Sequence, residues 1–127
     1  MKKLIVLLFS LLVISGCTQQ ESQVQQLNSN QAFEKANQQQ NIIIVDVRTI
    51  AEYNEGHIVG SINVPLDQIK ATIGDSIESK DTPLFVVCRS GNRSAQAQSM
   101  LLSMGYTDVT DIGSVFDWPE ELKVINP

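Results

Sequence analysis

The sequence predicts an α/β fold with a mainly parallel central sheet flanked by helices on both faces, and three observations predict it. Two short runs, Ile42 to Val45 and Leu84 to Val87, are apolar at every position. A strand reads that way when both of its faces are covered, as in a parallel sheet. Strands of this kind alternate with helical segments, the order of a layered α/β domain. The third observation is how the second run ends: it delivers Cys88 into a short Gly-containing turn that opens a helix. Sites in open α/β sheets lie beyond the carboxyl ends of the strands, and Cys88 occupies that position.

The first residues address the compartment. Met1-Lys2-Lys3 is a basic start, Leu4 to Ile14 is an apolar run broken only by Ser10, and the small residues Ser15-Gly16 stand before Cys17. Residues 1–16 thus have the pattern of a secretory signal, shorter than the about 20 apolar residues of a membrane-spanning helix. The stretch Val13-Ile14-Ser15-Gly16-Cys17 resembles a bacterial lipobox, with Ile14 where leucine is the more frequent residue. That resemblance implies cleavage before Cys17, lipidation of its sulfur and an extracytoplasmic protein anchored to a bacterial membrane, at the periplasmic face or the cell surface. Stable anchoring takes two or more lipid signals, which a multiply acylated cysteine supplies. An uncleaved anchor or a plain signal peptide is the alternative.

Residues 17–26 are rich in Gln and Ser and have little to bury, the composition of a flexible tether. Residues 27–127 then form one domain of about 100 residues, enough for a single core. Val24 and Leu27 suit a small edge strand. Ser29 or Asn30 suits the cap of a helix with Ala32, Phe33 and Ala36 on its inner side. The tract Asn37 to Asn41 reads as a solvated helix end and loop, and Ile42 to Val45 as a buried strand that ends in Asp46. Asp81-Thr82-Pro83 makes a turn into the strand Leu84 to Val87. From Arg93 to Met104 the spacing predicts a helix with Ala97, Leu101 and Met104 on one face and Gly105 as its stop. Asp108 to Ile112 is a weaker strand.

Charge excludes some partners. Fourteen acidic side chains against nine basic ones give a net charge of −5, and losing Lys2 and Lys3 with a signal makes the balance more acidic. Such a chain is no candidate for nucleic acid or for electrostatic adsorption to anionic lipid. One histidine and one available cysteine cannot supply a tetrahedral metal set. No cofactor is implied, and a monomer is the default. If Cys17 carries lipid, Cys88 is the sole thiol of the mature chain, and an unpaired thiol in an exported protein is either a liability or a working group.

The chemistry concentrates in Cys88-Arg89-Ser90-Gly91-Asn92-Arg93-Ser94. A strand, a tight loop and a helix in that order aim backbone N–H groups and the positive end of the helix dipole at the loop's centre. Thiols beside helix N-termini and arginines ionise more readily than free ones, and the thiolate is the nucleophile. Arg89 and Arg93 can stabilise such a thiolate and offer planar donors to an oxyanion. The ordinary alternative is a buried, inert cysteine. A cysteine of that kind has no need of a doubly arginine-flanked turn.

This loop resembles the active-site loop of rhodanese-like sulfurtransferases. Asp46-Val47-Arg48, Glu52-Tyr53, Gly56-His57-Ile58 and Gly60-Ser61-Ile62-Asn63-Val64-Pro65-Leu66 look like that family's consecutive signature segments, in the right order ahead of the cysteine. With Gly113 and Trp118 the resemblance runs from about Val24 to Val124. It implies a single rhodanese-like domain in which Cys88 accepts a sulfane sulfur from thiosulfate or a persulfide. The resulting persulfide passes its sulfur to cyanide or a thiol, a protein thiol included. Arg89, Ser90, Gly91, Asn92, Arg93 and Ser94 would bind the substrate, with Arg89 and Arg93 on its sulfonate end. Four residues separate Cys88 from Arg93, one fewer than in cysteine phosphatases, and the resemblance associates this smaller cradle with sulfur transfer.

Asp46 and Arg48 are expected to form an internal ion pair, with Glu52 in the same cluster. His57 is expected in a structural turn, and Trp118 as a packing residue near the rim. Gly113-Ser114 replaces the family's common double glycine. Two rival functions are a non-catalytic binding module of the same fold and a small cysteine-dependent phosphatase or arsenate-type reductase.

Overall fold

The computed structural model describes residues 25–120 and 123–125. The signal, the lipobox ending at Cys17, and Val24 lie outside the described residues. The elements follow in the order β1 (Gln25–Gln26), α1 (Ser29–Gln38), β2 (Ile43–Asp46), α2 (Ile50–Glu55), β3 (Gly56–Ile58) and β4 (Ile62–Asn63). A 3-10 turn (Leu66–Gln68) leads into α3 (Ile69–Ser76), followed by β5 (Leu84–Cys88), α4 (Asn92–Ser103), β6 (Val109–Ser114) and β7 (Lys123–Ile125). The main sheet has the order β1-β6-β5-β2-β4, and each of its pairings is parallel. β3 and β7 form a separate antiparallel ribbon.

The apolar runs divide by the period of two that strand geometry imposes. Leu84, Val86 and Cys88, with Val45 of β2, face Ile69 and Ile73 of α3 and Ala97 and Leu101 of α4. Phe85 and Val87, with Ile112 of β6, face the other way, into a cluster with Ala32 of α1, Ile58, Val115 and Trp118. Each face is therefore covered, which is why neither run contains a polar residue. Each of these buried aliphatic or aromatic side chains contributes about 1.5–3 kcal/mol. β5 sits at the middle of the sheet, so its carboxyl end is held from both sides.

Local signals set the boundaries, with some shifts from expectation. The cap of α1 is Asn28, not Ser29 or Asn30: Asn28 Oδ1 accepts the Gln31 N–H at 3.0 Å, while Gln31 Oε1 accepts the Asn28 N–H at 3.2 Å. This reciprocal box satisfies two donors at once, which a cap one residue later could not do with Gln31. The expected small edge strand is present, with Gln25 and Gln26 as its described residues, and it pairs with Thr110 and Asp111. The sheet thus begins inside the segment read as tether. Backbone pairing asks nothing of side-chain polarity, so two glutamines serve an edge strand. Leu27 packs beneath it against the α1 face.

One irregularity falls next to the thiol. Val86 pairs with Asp111 but Cys88 with Ser114, so β6 carries one residue more than β5 across that interval. Gly113 within it has φ +78°, the left-handed region that glycine enters without strain.

Candidate active site

Cys88 ends β5, and its side chain turns toward α4, on the face that α3 and α4 cover. It is completely buried, whereas Arg89, Ser90 and Asn92 of the same loop are exposed and Gly91 is half-buried. The sulfur therefore lies behind a polar rim. Gly91 turns the chain at φ +88° and its N–H meets the Cys88 Sγ at 2.9 Å. Ser94, buried in the first turn of α4, places Oγ 3.5 Å from Sγ. These two contacts are what the loop's polar groups offer the sulfur directly.

The two arginines have different employment. Both terminal guanidinium nitrogens of Arg93 donate to Glu52, at 2.7 and 2.9 Å. Glu52 also accepts the Thr49 N–H at 2.9 Å, while Thr49 Oγ1 accepts the Glu52 N–H, so the same side chain caps α2 and ties it to α4. The Arg93 hydrogen bonds hold the Glu52 carboxyl at about 2, against a usual 4.5, with burial opposing the shift and Thr49 assisting it. Arg93 is raised in turn, first by Glu52. This corrects two expectations. Glu52 bonds to Arg93 and Thr49 rather than to Asp46 or Arg48, and Arg93 is not a free anion donor. Arg89 carries its charge on the exposed rim, 5.6 Å over the Phe116 ring.

Asp46 and Arg48 form the expected pair. Asp46 accepts the Arg48 N–H at 3.0 Å, Nε at 3.0 Å and Nη2 at 2.7 Å, and Nη2 also donates to the Gly56 carbonyl. With relative exposures of 0% and 4%, both charges are out of water, so each is tolerable only with the other present. The pair joins the end of β2 to the start of β3. His57 lies on that ribbon, in a strand rather than in the expected turn, stacked on Tyr53 at 3.7 Å with Nδ1 on the Tyr53 carbonyl. Trp118 packs edge-on against Phe33 at 5.9 Å. Among the described residues no group of three or more His, Cys, Asp or Glu is placed to hold a metal ion.

Sequence reasoning missed Asp111. It lies on β6, 3% exposed, and its Oδ1 accepts the Ser94 hydroxyl at 2.7 Å and the Gly113 N–H at 2.9 Å. A carboxylate inside the strand Val109-Thr110-Asp111-Ile112 was the available signal, since an acid at a buried position needs partners. What it partners depends on the bulge, which has no sequence signature of its own beyond Gly113.

Residues 29–121 match the model of the rhodanese-like domain. The chain is 37% identical to thiosulfate sulfurtransferase PspE of Escherichia coli (strain K12), over 58% of this chain and 70% of that protein. It is 28% identical to a sulfurtransferase of Allochromatium vinosum, over 82% of this chain and 97% of that one. A solved structure described as a rhodanese with anions from E. coli superposes with a TM-score of 0.61 at 34% identity, covering 67% of this chain and 99% of its own. With the parallel sheet and the loop ending β5, these likenesses show that the chain belongs to the family of rhodanese-like domains, as a sulfurtransferase of the rhodanese kind.

Proposed function

We propose that this sulfurtransferase moves a sulfane sulfur from thiosulfate or a persulfide donor to cyanide or a thiol through a persulfide on Cys88. The observation that carries the reading is the Cys88 sulfur at the end of a central strand with the Gly91 N–H directed at it, 2.9 Å away. The Cys88 thiolate attacks the outer sulfur of thiosulfate, the S–S bond to the sulfonate breaks, and sulfite leaves with the electron pair. In the second step the acceptor attacks the outer sulfur of the persulfide, and the Cys88 thiolate departs. The amide at Gly91 and the positive end of α4 favour negative charge at that sulfur in both steps, the same service an oxyanion hole gives oxygen.

Arg89 is the cation at hand for the sulfonate, because Arg93 and Arg48 are each bound to a carboxylate. The pattern from Met1 to Cys17 supports an extracytoplasmic protein anchored through lipid on Cys17. Among the described residues no helix is long and apolar enough to cross a membrane.

The test is intact-protein mass after incubation with thiosulfate. One added sulfur on the purified domain, lost on adding cyanide and absent from Cys88→Ser, is expected. Transfer to cyanide by Cys88→Ser at the unaltered rate overturns the assignment of the nucleophile. Labelling of the full chain with a radioactive fatty acid, lost in Cys17→Ala, tests the anchor; labelling that persists in that variant overturns it.

A further inference from the structure

Ser94 has one hydroxyl proton and three neighbours that compete for it or for its lone pairs. Asp111 Oδ1 stands at 2.7 Å, the Gly91 carbonyl at 3.0 Å and Cys88 Sγ at 3.5 Å. A hydrogen bond to an ionised oxygen is shorter and roughly twice as strong as one to a neutral acceptor, so the Ser94 proton goes to Asp111. A lone pair of Ser94 Oγ is then left facing the sulfur. That arrangement accepts the S–H of a thiol and repels a thiolate. For Ser94 to donate to the thiolate, it must abandon a buried carboxylate whose remaining partner is the Gly113 N–H. β6 supplies this carboxylate from a position in regular register with Val86, and the bulge that follows places the Gly113 N–H on it.

We infer that Asp111 is a positioning residue of the sulfur-transfer site, which directs the Ser94 hydroxyl away from Cys88 and so biases the site toward holding its sulfur. The inference rests on the persulfide chemistry proposed above. In the loaded state Cys88 Sγ is bonded to a second sulfur and the negative charge resides mainly on the outer atom, so the lone pair of Ser94 no longer opposes an anion at Sγ. In the discharged state that opposition returns. Discharge breaks the S–S bond, hands the outer sulfur to the acceptor and leaves the electron pair on Cys88 Sγ, and it is this departing thiolate that Asp111 makes dearer. Arg93 feels Glu52 first, then Cys88 and Asp46, while the Asp111 carboxylate is engaged by Ser94 and Gly113 instead.

Asp111→Asn removes the charge but keeps a neutral acceptor for Gly113. The thiolate is then the only charged acceptor within reach of Ser94. Alkylation of Cys88 by iodoacetamide at neutral pH is expected to quicken by about tenfold, the worth of one hydrogen bond to a charged group. Single-turnover discharge of the preloaded persulfide to cyanide is expected to quicken by a similar factor. In a Ser94→Ala background the same substitution is expected to add less than a twofold change. Unchanged or slower alkylation in the folded variant overturns the inference, and so does an equal acceleration without Ser94, which would mark a through-space charge effect.

Should Asp111→Asn fail to fold, the unaltered protein decides. Exchange of the Ser94 hydroxyl from hydrogen to deuterium is expected to move the Asp111 carboxyl carbon resonance, and no movement overturns the inference. A site that takes no sulfur from any donor defeats the proposed function, while the alkylation series still judges the role of Asp111.

Discussion

β2 and β5 are neighbours in the middle of the same sheet, run the same way and end in chemically active side chains, yet the ends are built to opposite purposes. Asp46 at the end of β2 accepts three N–H groups of Arg48, and its partner's remaining reach goes to a carbonyl. Cys88 at the end of β5 is offered one amide N–H and a hydroxyl whose proton is taken elsewhere. Burial is complete for both. What separates the two ends is how far the hydrogen-bonding capacity of each side chain is filled: Asp46 is closed by its partner, and Cys88 keeps capacity for a reactant.

That contrast can be broken at either strand. The largest effect is expected from Cys88→Ser, which should abolish cyanide-dependent thiocyanate formation by at least about a thousandfold, since oxygen cannot form the sulfur-bonded intermediate. Retained turnover would end the distinction between the two strand ends. Next comes Arg48→Ala, which leaves Asp46 buried without its partner. It should cost about 3–5 kcal/mol in urea unfolding, with Cys88 chemistry lost only as far as the domain unfolds. A loss below about 1 kcal/mol would show that water reaches Asp46 and that the pair is no staple.

The Glu52–Arg93 pair is intermediate in kind and supplies a smaller, pH-dependent effect. The folded carboxyl sits at about 2 and the usual value is 4.5, so the folded state binds fewer protons than the unfolded one between those values. The contribution is fully present above the usual value and is lost as pH falls through it toward 2. The shift alone corresponds to about 3 kcal/mol. The side chains are 23% and 30% exposed, so solvent screening leaves about 1–2 kcal/mol. Glu52→Gln should therefore lower the melting temperature at neutral pH and flatten its dependence on acid below pH 4.5. An undiminished acid dependence in that variant would assign it to other carboxylates. The smallest effect is expected from Arg89→Ala, whose charge stands on the rim over Phe116. The KM for thiosulfate should rise by about twofold to fivefold, for loss of one exposed charge contact, with the melting temperature unchanged. A KM that stays the same would remove Arg89 from the donor site.

Much of this was legible along the chain. Ile42 to Val45 and Leu84 to Val87 announce central strands because coverage of both faces excludes polar residues, and Gly91 announces the turn because its backbone must enter the left-handed region. Helices α2 and α3 are short and carry no strong periodic stripe, and the β3–β7 ribbon joins Gly56–Ile58 to Lys123–Ile125 across most of the domain. The ribbon has no local signature, and α2 has only its cap. Glu52 illustrates the limit: its place three residues after Thr49 is a cap signal, but nothing local says that its other oxygen meets Arg93.

The sequence by itself determined the sheet's central strands, the helix after the thiol and the family to which the loop bears its likeness, since each follows from short-range pattern and stereochemistry. Only the tertiary structure decided which charges are spent. It gave Arg93 to Glu52, closed Asp46 with Arg48, sank Cys88 behind its rim and set Asp111 against Ser94. Pairing between strands and helices far apart in the chain sets those distances, and a hydrogen bond depends on a few tenths of an ångström that no residue pattern encodes.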